Sequence, residues 1–154
     1  METLPFYAAT IKYIQPMKSV NPYLNFNGST EDAFTFYQSV FGGELQIDRY
    51  KDLDDNMGAT GDDLNKIANV MLPIGGGTML FGSDVLGSSH ENHAAGNNFY
   101  IQLETESEEE TERLFNRLSA GGSIQMPLAN TGWAKKFGML TDKFGIQWMV
   151  YFTG

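Results

Sequence analysis

Both histidines of the chain fall in one short run, Ser89-His90-Glu91-Asn92-His93. Imidazole and carboxylate are good ligands for a divalent metal, and a histidine near a substrate can move protons at neutral pH. The flanking Gly, Ser, Ala and Asn residues predict a loop, however, so the spacing fixes no common ligand face. His90 and His93 stay as acid–base candidates, with Glu104 as a third. Asp52-Leu53-Asp54-Asp55-Asn56-Met57-Gly58 with Asp62-Asp63 has the look of a calcium loop. It fails at the turn glycine, where Met57 stands, and at the twelfth position, where Asp63 replaces Glu. An acidic excursion between strands explains it. Gly75-Gly76-Gly77 invites a phosphate-loop reading, but it leads into the strand-like Thr78–Gly82 instead of a helix, so it predicts a hairpin turn.

The elements that must position these groups come in two copies. Asn21 and Tyr100, Gly42 and Gly121, and Gln46 and Gln125 are each 79 positions apart. One offset shared by strand, helix and turn marks a duplicated unit. Each copy opens with period-two alternation, then a helix. Ala33, Phe36, Tyr37, Val40 and Phe41 form the first apolar stripe, closed by Gly42-Gly43. Ser107-Glu108-Glu109-Glu110 reads as a capping box for the second, whose core residues are Leu114, Phe115 and Leu118. Three strands follow each helix: Leu45–Tyr50, Ile67–Pro73 and Thr78–Gly82, then Ile124–Pro127, Phe137–Thr141 and Ile146–Phe152. The expected architecture is α+β, two βαβββ modules at 18–84 and 99–154, with an arm at 1–17 and a linker at 85–98.

Alternation then defines a candidate binding face. Leu24, Phe26, Ile101, Leu103, Trp148, Val150 and Phe152 are expected in the core. Asn21, Tyr23, Asn25, Tyr100, Gln102, Glu104, Gln147, Met149 and Tyr151 face the other way, and Thr78 and Leu80 are expected to complete the wall. That mix of aromatic, amide and apolar groups suits a small organic ligand. Trp133, Lys135 and Lys136 precede a strand and are placed to cap such a cleft.

Composition narrows the field further. The 154 residues suit one domain with a sizeable core. A net charge of −9 disfavours nucleic-acid backbones. The absence of Cys removes disulfides, thiolate metal sites and cysteine nucleophiles, and fits a cytoplasmic protein. No apolar run approaches a membrane span, and Met1 to Tyr13 lacks the pattern of a signal peptide.

Three blocks carry a family resemblance. They are Pro22-Tyr23-Leu24-Asn25-Phe26-Asn27-Gly28 with Phe36-Tyr37-Gln38-Ser39-Val40-Phe41-Gly42-Gly43, Gly75–Asp84, and Phe137–Trp148. Together with the doubled βαβββ layout they resemble the PhnB-like branch of the vicinal-oxygen-chelate (glyoxalase/bleomycin-resistance/dioxygenase) superfamily over residues 18–152. The resemblance implies two curved mixed sheets with outer helices, a cleft inside each sheet, and a homodimer. It also implies four metal-ligand positions, which fall on Asn21, Leu80, Tyr100 and Met149; a one-residue shift brings Met79 and Trp148. One amide, one phenol and two apolar groups make a poor shell for Ni, Zn or Fe, so no metal or cofactor is expected.

The favoured expectation is a metal-free protein that binds a small organic ligand. Two alternatives remain: a superfamily enzyme (isomerase, lyase or dioxygenase) with a displaced metal site or a side-chain base such as Glu104, and a dimeric scaffold without ligand. No Arg cluster is present to grip a phosphonate. Glu104, Asp84 and Asp142, expected near the cleft, favour a cationic or neutral ligand over an anion.

Overall fold

A computed structural model describes residues 17–87 and 92–154. The arm before Met17 and His90 lie outside the described residues. Strand β1 (Tyr23–Phe26) buries Leu24 and Phe26 and turns Tyr23 and Asn25 outward, as alternation requires. Helix α1 (Thr30–Phe41) follows, then β2 (Gln46–Arg49), β3 (Ile67–Gly75) and β4 (Thr78–Asp84). The second module repeats the order with β5 (Ile101–Glu104), α2 (Glu108–Ser119), β6 (Ser123–Ala129), β7 (Lys136–Thr141) and β8 (Gln147–Phe152). The strand orders β1-β4-β3-β2 and β5-β8-β7-β6 match, and in each sheet the first strand pairs in parallel with the last. This is the duplicated α+β fold the repeat predicts. Among the described residues no helix is long and apolar enough to cross a membrane.

The acidic stretch after β2 forms two 3₁₀ turns, Tyr50–Asp52 and Gly61–Asn65, which sequence pattern did not signal. Between them, Asp55 and Asn56 side chains accept from the backbone N–H groups of Met57 and Gly58, each two residues on.

The two helices begin differently. Ser107 caps α2, accepting from Glu110 N at 3.1 Å. Ser29 makes no such bond. Asp84, at the end of β4, supplies the acceptor instead: Oδ1 takes the N–H groups of Gly28 and Thr30 and the Thr30 hydroxyl, and Oδ2 takes Ile67 N. One carboxylate thus closes the start of α1 onto β3 and β4.

The α1 stripe is rotated from the expected one. Ala33, Phe34, Tyr37 and Val40 are the buried apolar residues, whereas Phe36 and Phe41 are partly buried. The reason is that α1 has two apolar neighbours. Phe34 presses on β4, where a Cβ at Gly82 would lie 2.6 Å from its ring. Phe36 and Phe41 reach the second module, with ring centroids 5.8 Å from Phe144 and 5.6 Å from Trp148. In the second sheet Phe115 of α2 presses on Gly138 in the same way.

A single hydrophobic cluster therefore spans both modules, from Leu24 and Val70 to Leu118 and Trp148. Its polar centre is Asp142. The Tyr37 hydroxyl and the Trp148 indole N–H donate to Oδ2 at 2.7 and 2.9 Å, and the N–H groups of Phe144 and Ile146 donate to Oδ1. Arg113 and Arg117 of α2 donate to the carbonyls of Val40 and Ser39 at the end of α1, which has no basic residue in its own last turn. Cations at a helix C-terminus are favourable there.

Asp142→Ala leaves four donors without their acceptor, and it should cost about 3 kcal/mol or more in urea denaturation. A pH signature accompanies it. Burial, then the Asp142 charge and its hydrogen bond, push the Tyr37 phenol well above the usual tyrosine range. Its contribution to stability is complete below the unfolded value of about 10 and drains as pH rises further, by about 1.4 kcal/mol per pH unit, because only the unfolded chain releases that proton. Tyr37→Phe should remove this component, giving a shallower alkaline loss of stability in denaturation curves taken between about pH 9 and 11.

Candidate functional site

Each sheet gives one face to its helix and leaves the other uncovered by any helix among the described residues. On the second sheet the ladder sorts that outer face into rows. Phe137 pairs with Tyr151, and Tyr151 with Glu104; Met139 pairs with Met149, and Met149 with Gln102; Thr141 pairs with Gln147. The first row is aromatic with a carboxylate at its end, the second is thioether with an amide, and the third is polar.

Trp133, in the β6–β7 loop, closes the aromatic row. The Thr131 hydroxyl accepts from the N–H of Trp133 and of Ala134, which shapes the loop. The indole packs on Phe137 and Tyr151 with centroids 5.1 and 5.3 Å away, yet remains 55% exposed. Phe137, Tyr151 and Ala134 beneath it are buried, with Met139 and Met149 packed alongside. The Tyr151 hydroxyl donates to Glu104 Oε2 at 3.1 Å, and Thr153 donates to Oε1 at 3.4 Å. Burial and the Glu104 contact raise the Tyr151 phenol above its ordinary value. At the polar end, Tyr100 donates to Gln125 Oε1, Gln125 Nε2 donates to Thr141 and Gln147, and Gln147 Nε2 donates to the Phe99 carbonyl at 2.7 Å.

The first sheet is simpler. Tyr23 stacks on Phe81 at 6.3 Å, Ser83 donates to Asn25 Oδ1, and Asn21 Oδ1 accepts from Met79 N. Two grooves flank the sheets. One of about 440 Å³ is lined by Thr78, Gln102, Glu104, Glu106, Glu110 and Arg113 among others. The other, of about 480 Å³, includes Tyr23, Asn25, His93, Phe99 and Gln147. The candidates from the two opening strands are thus divided between grooves instead of sharing one surface.

Four expectations need correction. Leu80 does not reach the outer face: it is fully buried, and Met79 and Phe81 flank it on the other side of the strand. In the ladder Leu80 pairs with Leu72 and Gly82 with Leu24 and Val70, all on the core side, so the position counted from the glycine turn lies on the helix-covered face of β4. Thr78 shares the phase of Leu80 and meets its groove from the helix side. Asp84 and Asp142 are buried and engaged with internal donors, so Glu104 alone of the three carboxylates borders the outer face. Lys135 lies over the Phe152 ring at 5.9 Å and Lys136 pairs with Glu112 of α2, so neither caps the face. His93 is half-buried at the second groove. Phe137, Met139 and Gln125 join the face although the sequence did not single them out. Their strands were legible, but which partners they meet depends on the β7–β8 register and, for Gln125, on the shifted β6–β7 register.

The superfamily's metal centre does not fit these residues. Asn21 has its carbonyl oxygen engaged, Tyr100 is bonded to Gln125, Met149 supplies a thioether, and the ladder counterpart of Met149 in the first sheet is Phe81, beside Met79 and Leu80. No group of three or more His, Asp or Glu side chains able to hold a metal occurs among the described residues.

Two matched βαβββ sheets, each with one face free of helices, define the glyoxalase/bleomycin-resistance/dioxygenase class. A domain of that description from Frankia sp. shares the fold at a TM-score of 0.61, with 13% identity over 91% of this chain and 100% of its own. The chain belongs to the PhnB-like family whose model, described as 3-demethylubiquinone-9 3-methyltransferase, matches residues 18–151. Protein YjdN of Escherichia coli is 33% identical over 143 residues, covering 85% of this chain and 92% of that protein. Protein PA1353 from Pseudomonas aeruginosa has a TM-score of 0.74 and 37% identity, over 88% of this chain and 98% of its own. The PhnB protein from Bacillus cereus has a TM-score of 0.71 and 27% identity, over 88% and 99%.

Methyl transfer needs a bound methyl donor, and the glycine-rich turn does not fit one of nucleoside type. Gly75, Gly76 and Gly77 all have positive φ and join two antiparallel strands, with no helix N-terminus behind them.

The face assignment separates two variants. Leu103→Ala trims a partly buried side chain packed on the core and should cost about 2 kcal/mol, at the low end for buried leucines. Gln102→Ala, exposed on the other face, should stay within about 0.5 kcal/mol. Paired denaturation curves check both.

Proposed function

We propose that this protein binds a small organic ligand without a transition metal, and that it does so as a homodimer. The observation that carries the reading is the Trp133-capped row on the second sheet. A half-exposed indole, buried aromatics, two methionines and a ring of amides offer apolar area with a few fixed polar groups, the usual make-up of a ligand site. The donor set at the superfamily's metal positions supports the metal-free part, since it lacks the carboxylates and imidazoles a divalent ion needs. Support for the dimer comes from the open edges β1 and β5 and from exposed Tyr23, Phe99 and Met126 around the outer faces. Unpaired edges and large exposed apolar groups are ordinarily covered by a partner.

Light scattering at micromolar concentration should give about twice the 17.1 kDa chain mass. Metal analysis of the same sample should find far less than one transition metal per chain. In a thermal-shift screen of small aromatic compounds, hits should be lost in Trp133→Ala. A monomer, a stoichiometric metal on which binding depends, or hits indifferent to Trp133 would each overturn the corresponding part.

A further inference from the structure

We infer that the ligand of the second sheet is an organic cation carrying a flat apolar ring, with Trp133 as its platform and Glu104 as its counter-ion. This rests on the binding reading above and adds the charge and shape of what is bound.

The ring half of the argument is Trp133. An indole on a loop ordinarily turns its apolar surface inward. Here the Thr131 turn and edge-on contacts with Phe137 and Tyr151 fix the ring while leaving more than half of it open to solvent. The rings below are already buried, so the free indole surface is available to a second flat group without any rearrangement of the core. Such surfaces bind aromatic rings and cations through area and the ring quadrupole.

The charge half is Glu104. Its two oxygens accept from neutral hydroxyls, those of Tyr151 and Thr153, which orient the carboxylate, and it makes no ion pair among the described residues. Cations nearby are engaged elsewhere: Lys135 over Phe152, Lys136 with Glu112, and Arg113 on the Val40 carbonyl. The groove along β5 adds Glu106 and Glu110, so three carboxylates meet one guanidinium there. A net charge of −9 on the whole chain extends the same field outward.

Geometry joins the halves. Glu104, Tyr151 and Phe137 are ladder neighbours across β5, β8 and β7, and adjacent strands lie about 5 Å apart. Carboxylate and indole platform are therefore separated by one or two strand spacings, the span of a single bicyclic cation. An anion of the same shape would meet Glu104 at the same distance and be repelled.

The test uses the full chain and three probes of one shape: 1-methylquinolinium, the neutral 1-methylnaphthalene and the anion 1-naphthoate. Calorimetric titration gives affinities, and the two indole N–H resonances report position, since Trp133 is exposed and Trp148 is bonded to Asp142. The cation should bind about tenfold more tightly than the neutral probe at low salt, the anion more weakly than either, and the Trp133 resonance alone should move. Glu104→Gln should bring cation and neutral probe to within about threefold of each other. Trp133→Ala should weaken both, with the Trp148 resonance confirming a folded chain and Trp133→Phe restoring part of the binding. Equal binding of cation and neutral probe, or a preference that survives Glu104→Gln, overturns this inference while the site itself stands. Failure of all three probes to move the Trp133 resonance overturns the site, and this inference with it.

Discussion

The carboxylate of Asp142 holds the two halves of this protein in one arrangement. It lies in the second module, one residue past β7, and takes hydrogen bonds from its own turn, from Trp148 on β8 and from Tyr37 on α1 of the other module. A buried carboxylate is tolerable only when its lone pairs are filled, so the four donors must all be in place together. Around it Tyr37, Phe41, Phe36, Phe144 and Trp148 pack ring against ring. Apolar packing alone would allow the modules to slide. The directed bonds to one side chain fix their register.

That requirement explains other departures from local rules. α1 begins without a side-chain cap of its own because Asp84 supplies one from β4, and it ends without a basic residue because Arg113 and Arg117 arrive from α2. Its apolar stripe is broad because one side meets a sheet and the other meets a module. The helix-covered faces of the two sheets supply the core that joins the halves, and the opposite faces are left free of helices among the described residues.

Those faces are unequal. The first offers a stacked tyrosine and phenylalanine with an Asn–Ser pair, while the second grades from aromatic through thioether to amide, bounded by Glu104. A metal-centred superfamily member concentrates its chemistry at a few charged ligands. This chain has apolar and amide groups where those ligands would stand, and it has moved its fixed charge to the sheet edge.

Sequence alone determined what short-range physics controls. Period-two alternation placed Leu24, Phe26, Trp148 and Val150 inward, glycine pairs ended the helices, and a shared 79-residue offset exposed the duplication. It also named Tyr23, Gln102, Glu104 and Tyr151 as outward-facing, because a strand's two faces follow from counting within that strand. Only the tertiary structure decided what depends on distant partners. The pairing of β4 with β1 and β3 put Leu80 in the core, and the β7–β8 register brought Phe137 and Met139 to the face. Asp84 and Asp142 turned from expected cleft charges into internal acceptors, and Trp133 came to rest on two rings from different strands. Alternation fixes phase within a strand, whereas phase between strands and the partners of a buried carboxylate are set by long-range pairing that no local spacing encodes.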